Sequence, residues 1–393
     1  MVLVPSHWSS ACKAFVTAID ERHRPRIPVR SHREEKPSAA PRPSPRKDVK
    51  VGVISPTSKA KDKETPPRPK KMDQVEALVD NIQALSGSTE DLAKLHTELK
   101  VAEELLQRNS VGLSASLAVL DAETHSLGYL YILDAQSKSA DVPKDIFIQA
   151  VRAFLPKCSP EQVRLAPGKF AEVCRAFKQG CMDAGQPGLA AHPLRTAIAK
   201  IQPSKDFLTP QHADFLQACL LAKLYKPAAD LLMKDDIFEA DPTATGIVPS
   251  DFLLYCYYGA LILIGVKEYT KAMELLMHAI TAPALSLSAI TVAAYKKFVV
   301  VSLIANGSVL GFPRYTSAVV QRQLKNLCQE YSELASSYKK NNITDFQKCV
   351  QQYSAVLTTD GNLGLVKQCI ESLYMRSIQR LTQTYLTLSL QDM

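Results

Sequence analysis

The sequence predicts an all-α protein organised as a helical-repeat solenoid. Three observations predict this. From Met72 onward, apolar residues recur at helical spacing. Capping signals and short polar breaks fall where that spacing starts and stops. No stretch alternates apolar and polar residues in the manner of a half-buried strand.

In chain order, Val75, Leu78, Val79, Ile82 and Leu85 form the first stripe, which Ser86-Gly87-Ser88 ends. Acids at Asp73 and Glu76 suit its first turn, where the helix dipole favours negative charge. Ser159-Pro160-Glu161-Gln162 offers a capping hydroxyl, a proline at the first helical position and a Gln three residues after the cap. Thr209-Pro210 repeats the first two features, and Leu216, Leu220, Leu221 and Leu224 follow as a second stripe. Ala272, Leu275, Leu276, Ala279 and Ile280 make a third; Leu324, Leu327, Tyr331, Leu334 and Tyr338 a fourth. Thr344-x-x-Gln347 is a further capping-box candidate. The last stripe runs through Val366, Ile370, Leu373, Ile378, Leu381, Tyr385 and Leu388. Asn306-Gly307, Asn341-Asn342 and Asp360-Gly361-Asn362 are the breaks between helices. Ten or more antiparallel helices joined by short turns are expected.

The segment Tyr257–Pro283 is more specific. A small residue, Gly259 or Ala260, sits within one helix, and a turn follows at Gly265–Lys267. Tyr269, Ala272, Ala279 and a closing Pro283 come next. Small residues let two helices approach, Tyr269 fills the gap beside them, and Pro283 stops the second helix. These are the mechanics of a tetratricopeptide-like hairpin. No clean period of about 34 residues recurs elsewhere, so a degenerate solenoid is expected.

The chain has 393 residues and a formal charge of +8, but that charge is local. Residues 1–71 hold 17 Lys+Arg, 7 Asp+Glu and 11 of the 24 prolines, a net +10, whereas residues 72–393 carry −2. Dense like charge and proline leave too little apolar surface to offset ordering entropy, so Arg22–Lys71 is expected to be disordered. Ala11–Ile19 could form a helical turn or two. Three readings compete for the tail. It binds nucleic acid or an acidic surface; it is a transit peptide, against which Asp20, Glu21, Glu34 and Glu35 count; or it has no role and the natural protein starts at Met72. The last is preferred, because Met72 stands at the abrupt change in composition.

Candidate chemistry is absent from the motifs. The nine cysteines are Cys12, Cys158, Cys174, Cys181, Cys219, Cys256, Cys328, Cys349 and Cys369; none forms C-x-x-C and none has a His at metal-ligand spacing. They read as small core residues of a reduced intracellular protein, Cys174 and Cys181 sharing one helical face. No secretory signal opens the chain, since Lys13 interrupts the first apolar stretch. The uncharged runs Phe252–Val266 and Phe298–Pro313 fall short of the ~18–20 residues a membrane span needs and read as buried helices. Gly361-x-x-Gly364-x-x-Lys367 has the wrong spacing for a phosphate loop and reads as a helix start. H-E-x-x-H and His-x-His are both missing, and the histidines, His7, His23, His32, His96, His125, His192, His212 and His278, are scattered. His125 reads as a packed or capping residue, and Tyr255, Tyr257 and Tyr258 as repeat core. No catalytic, cofactor-binding or metal-binding residue is assigned, no cofactor is expected, and a scaffold is the class that remains.

Several stretches carry a resemblance. They are HSLG at His125–Gly128, ACLLAKLYKPA at Ala218–Ala228, the Tyr257–Ala284 hairpin, AAYKKFVVVSLI at Ala293–Ile304, PRYTSAVV at Pro313–Val320 and the gap-free Gly361–Met393. They resemble the third-subunit family of the COP9 signalosome, in a plant-like form, from about Met72 to Met393. The resemblance implies tetratricopeptide-like repeats running into a PCI domain, a helical subdomain followed by a winged helix. On that basis residues 72–265 are expected to be the solenoid and 266–393 the PCI portion, after the 1–71 extension. The resemblance also suggests that the chain stops at Gln391-Asp392-Met393 inside the first winged-helix helix. Leu381, Tyr385 and Leu388 would then lack covering partners, and this form would assemble poorly.

The implied role is non-catalytic. The subunit would support a complex that removes the ubiquitin-like modifier from cullins, and in plants represses light-regulated development. The metalloprotease of that complex is a different subunit. Expected partners are other signalosome subunits and, indirectly, cullin-RING ligases, in cytoplasm and nucleus. No small-molecule substrate, membrane or nucleic-acid partner is expected. The alternatives are a PCI subunit of the proteasome lid or of translation initiation factor 3, and a nucleic-acid-binding protein acting through the basic tail.

Overall fold

A computed structural model describes residues 71–384, apart from 111, 236, 284 and 285. The readings of the tail, of the Ala11–Ile19 turn, of Cys12, and of Tyr385 and Leu388 lie outside the described residues. Within them the chain forms twenty helices and no strand. One isolated parallel bridge joins Phe207 and Glu239.

The first helices are α1 (Lys71–Leu85), α2 (Thr89–Val101), α3 (Glu103–Arg108), α4 (Leu113–Val119), α5 (Ser126–Lys138), α6 (Lys144–Lys157) and α7 (Pro160–Val163). The middle holds α8 (Pro167–Asp183), α9 (Gly188–Ile201), α10 (Pro210–Leu221), α11 (Tyr225–Lys234), α12 (Pro242–Thr245), α13 (Pro249–Gly265) and α14 (Tyr269–Thr281). Then come α15 (Ala289–Asn306), α16 (Ala318–Leu327), α17 (Gln329–Lys339), α18 (Ile343–Gln352), α19 (Ser354–Thr359) and α20 (Leu363–Thr384). The principal packing runs stepwise: α5 on α8, α8 on α9, α9 on α10, α10 on α13, α13 on α14, α14 on α15 and α15 on α20. Neighbour-on-neighbour packing of this kind is the architecture of a solenoid. One continuous apolar core threads it, with Phe154, Phe177, Phe215, Phe298, Tyr331 and Phe346 fully buried.

The repeat that the sequence hides is visible in the turns. Gly185, Lys223 and Lys267 all adopt left-handed φ, at 70°, 58° and 67°. Each follows a helix and is followed by the same closing hydrogen bond. Gln186 N–H donates to the Cys181 carbonyl (2.9 Å), Leu224 N–H to Cys219 (2.8 Å) and Glu268 N–H to Leu263 (2.9 Å). This is the Schellman closure, which pairs otherwise orphaned carbonyls at a helix end. The positions 185, 223 and 267 are unequally spaced, which is why no regular period shows.

The hairpin expected at Tyr257–Pro283 is α13 and α14. A methyl on Gly259 would lie 3.0 Å from Leu275 and 3.2 Å from Leu232, so the helices approach closely here and a larger residue would push both leucines aside. Ala260 is fully buried. Tyr269 does more than fill a gap: its hydroxyl donates to Gln368 Oε1 at 3.2 Å, tying the hairpin to α20. A second close approach was not foreseen. A methyl on Gly128 would sit 2.4 Å from Ile82, so α1 rests directly on the α5 backbone.

Several expectations need correction. The helix expected at Asp73 is already formed at Lys71, the first described residue. Leu221 and Leu224 are exposed, because α10 ends at Leu221 and its buried face runs through Phe215, Leu216 and Cys219. The fourth stripe breaks at Cys328, which is buried between α16 and α17 and leaves Leu327 exposed. Thr344 is not a cap: Asn342 Oδ1 takes that role, accepting from the Thr344 N–H at 3.1 Å. The run from Phe298 is the second half of α15, whose 18 residues reach membrane-spanning length and hydropathy by composition alone. Lys296 and Lys297 keep the uncharged run from extending back along the helix. Both are accommodated: Lys296 pairs with Asp360, and buried Lys297 donates to the Gly361 carbonyl at 3.2 Å.

Candidate functional site

The eight described cysteines are unbridged, and all but Cys349 are buried. Burial pushes the Cys158 and Cys328 thiols up to about 11 and Cys219 up to about 12. It also raises Cys174, Cys181, Cys256, Cys349 and Cys369. Thiols held protonated are poor nucleophiles and poor ligands. Among the described residues no three His, Cys, Asp or Glu side chains converge as a metal site. Gly361 closes the turn into α20 with φ 62°, and Gly364 lies inside that helix.

What the fold builds instead is a series of polar clasps that fix one helix against the next. The first is at the α5 N-terminus. Gln162 is buried and does not serve its own helix; Ser159 makes no capping contact either. Gln162 Oε1 accepts from the Leu127 N–H at 2.9 Å, and its amide donates to the Thr124 carbonyl at 2.8 Å. The Ser159 N–H donates to Ser126 Oγ at 2.7 Å. The expected capping box thus caps a different helix. His125 stands at the N-cap position of α5 but makes no side-chain capping bond there; its Nδ1 accepts instead from the Asp121 N–H at 3.3 Å, in the turn before the helix.

The second clasp centres on buried Asp134. Lys169 on α8 reaches it at 2.8 Å and Glu103 at 3.0 Å, while Lys138 pairs with Asp134 at 3.0 Å. Burial works to lower the Lys169 pKa, but the bonds to Asp134 and Glu103 prevail and raise it. In the third, Lys178 on α8 donates to Asp214 and to Gln217 on α10, both at 2.6 Å. Nearby Arg175 meets Asp251 at 3.1 Å, and Asp251 Oδ2 accepts from the Val248 N–H at the α13 start. Burial raises the Asp251 pKa despite Arg175.

The α10 start carries a variant capping box. The Thr209 N–H donates to His212 Nδ1 at 3.1 Å, and the Thr209 hydroxyl lies 2.8 Å from the same nitrogen. A histidine does what Glu or Gln does in the usual box. His212 is fully buried, and desolvation lowers its pKa to about 3. Its ring packs edge-on to buried Tyr255 at 6.0 Å; Tyr257 and Tyr258 are half-buried, so the three tyrosines are core, as read from spacing. Cys174 and Cys181 are likewise buried on one face of α8.

The last clasps hold the C-terminal helices. Tyr331 donates to Asp360 Oδ2 at 2.8 Å, Lys296 meets the same carboxylate at 2.8 Å, and buried Asn362 donates to the Tyr331 oxygen at 2.6 Å. Arg376 on α20 donates to the Ala305 and Ile304 carbonyls at 2.6 and 3.2 Å, placing a cation on the α15 C-terminus. These polar residues were missed from sequence. The available signal was a charged residue at a core register, as Lys178 stands between Cys174 and Cys181 on the buried side of α8.

The outer surface holds the groups available to a partner. Tyr374, Met375 and Ile378 on α20 are exposed, whereas Leu381 is half-buried. A groove of about 350 Å³ between α11, α13 and α14 is lined by Leu232, Ile237, Phe238 and Leu275. A more polar cleft of about 560 Å³ at the α5 clasp is lined by Gln83, Glu123, His125, Lys157 and Lys200. Among the described residues this surface combines exposed apolar side chains with two open clefts.

The family described as COP9 signalosome complex subunit 3, N-terminal helical repeats, matches residues 86–320. The COP9 signalosome complex subunit 3 of Arabidopsis thaliana is 42% identical over 325 residues, covering 82% of this chain and 74% of that protein. The protein of the same name from Dictyostelium discoideum is 40% identical over 292 residues, 74% of this chain and 70% of its own length. A helical-repeat match over most of the folded region, with relatives of one name at this identity, leaves one conclusion: the chain belongs to the COP9 signalosome complex subunit 3 family.

Proposed function

We propose that the chain is a non-catalytic scaffold subunit of the COP9 signalosome. It supports removal of the ubiquitin-like modifier from cullins by holding other subunits in place, and so regulates cullin-RING ligases. The observation that carries this reading is the continuous, clasp-stiffened solenoid core over the stretch that matches the family's helical repeats. Its partners are other signalosome subunits, it acts in cytoplasm and nucleus, and it takes no small-molecule substrate, nucleic acid or membrane. The division into a solenoid of 72–265 and a PCI portion of 266–393 belongs to the same proposal. It runs through one packed core, since α13 and α14 pack together across it.

The test is reconstitution. The tagged chain should co-purify with the other signalosome subunits, and an assembly containing it should release the modifier from a cullin faster than one without it. Recovery with proteasome-lid or initiation-factor subunits instead would overturn the reading.

A further inference from the structure

We propose that the turns at the ends of three successive hairpins form a docking ridge for an acidic amphipathic helix of another subunit. This names a partner surface for the scaffold reading above and rests on it.

The three turns lie side by side. A methyl on Gly188 would be 3.6 Å from the Ala222 Cβ and 3.9 Å from Leu224, which places the α8–α9 turn against the α10–α11 turn. A methyl on Gly265 would be 3.0 Å from the Tyr225 ring, which places the α13–α14 turn against the α10–α11 turn as well. Arg195 on α9 donates to the Pro227 carbonyl at 3.2 Å and fastens the same edge.

The ridge is apolar and cationic together. Leu189, Leu221 and Leu224 are 40%, 50% and 38% exposed. Lys223, Lys226 and Lys267 stand exposed at these turns; of the acids there, Glu268 is exposed and Asp183, at the end of α8, is paired with Lys144 at 2.6 Å. Residues 72–393 carry a net −2, so a local cationic excess beside three exposed leucines is not the average surface. Apolar contact plus positive charge calls for an occupant with leucine-like side chains flanked by carboxylates. Adjacent packed helices lie roughly 8–10 Å apart, and seven residues of helix rise about 10 Å, so a helix with acids at i and i+7 would match the spacing of neighbouring turns.

A second observation concerns the lysines. Lys223 and Lys267 occupy the left-handed position of their turns, where glycine is the default and a side chain is disfavoured. Gly185 fills the equivalent position in the neighbouring turn. Two adjacent repeats therefore carry a lysine where the backbone favours glycine, a local departure of the kind that functional surfaces show.

The experiment uses the full 393-residue chain. The probe is a fluorescent 18-residue helical peptide with Leu at i, i+4 and i+7 flanked by Glu, compared with a copy carrying Gln for every Glu. The Glu peptide should bind, and its affinity should fall as salt is raised. K223E/K267E should weaken binding by about tenfold or more. K223G/K267G should weaken it as well, while the Tm rises by roughly a few degrees, which separates loss of charge from loss of fold. K325E, on exposed α16 surface, should change nothing. No binding of the Glu peptide, equal binding of the Gln peptide, or unchanged binding by K223E/K267E or K223G/K267G would overturn the proposal. Failure of the tagged chain to co-purify with signalosome subunits would sink the scaffold reading separately, and the peptide titration would still decide the ridge.

Discussion

Gln162 holds the N-terminus of a helix that is not its own: its side-chain oxygen accepts from the buried Leu127 N–H at 2.9 Å, 35 residues away. The same amide donates to Thr124, so one side chain satisfies both sides of the α5 entry. Replacing it with leucine keeps the bulk and takes the hydrogen-bond partner from the buried Leu127 N–H and from the Thr124 carbonyl. Q162L should lose about 1–3 kcal/mol of stability, read as a lower urea midpoint at unchanged slope. Wild-type stability in Q162L would refute the clasp.

Lys178 and Asp214 are a buried ion pair linking α8 to α10. Removing one partner leaves a charge without a counter-ion, so K178M should cost about 3–5 kcal/mol. K178M/D214L removes both charges and should recover most of that loss. A double-mutant cycle in denaturant measures the coupling, and additive losses would show that the pair is not coupled.

His212 gives the fold a defined response to acid. Its folded-state pKa of about 3 lies below the unfolded value of 6.5, so the unfolded chain binds this proton first as pH falls. The contribution is fully present above pH ~6.5 and is lost as pH falls toward the folded pKa, by roughly 1 kcal/mol per pH unit. Stability measured between pH 7 and 5, above the range where most carboxylates titrate, should show this slope in the wild type. H212Q should flatten it by one proton's worth, and parallel curves would exclude His212 as the source.

Gly307 ends α15 with φ 74°, and a methyl there would meet the Arg376 guanidinium at 3.0 Å. G307A should destabilise by about 1–2 kcal/mol through the left-handed backbone alone. Displacement of Arg376 from the Ala305 carbonyl should add to this. R376M tests that second part: its loss and that of G307A should be less than additive, because both release the same contact. Full additivity would place Arg376 outside the capping role.

Legibility in the sequence was uneven, for physical reasons. The α13–α14 hairpin was readable because its determinants are local: Gly259, the 265–267 turn and Pro283 act on their immediate neighbours. Helix breaks at Gly307, Asn341 and Gly361 were readable for the same reason. Capping residues were half readable. Thr209 was identified as a cap, but its partner His212 is not the residue the usual pattern asks for. Ser159 and Gln162 had the right pattern and a different target, because a side chain in a short helix is free to serve a neighbour that packs closely.

By itself, the sequence determined that the folded part is all-helical, where the 265–267 hairpin turn lies, and that its net positive charge is confined to residues 1–71. Helical period, turn chemistry and charge are properties of neighbouring residues, and they survive without a fold. Only the tertiary structure decided which charges pair in the interior, that turns 185, 223 and 267 are repeats of one device, and that they stand in a row. Those facts depend on residues tens of positions apart meeting in space, and unequal spacer lengths remove any period that would announce them.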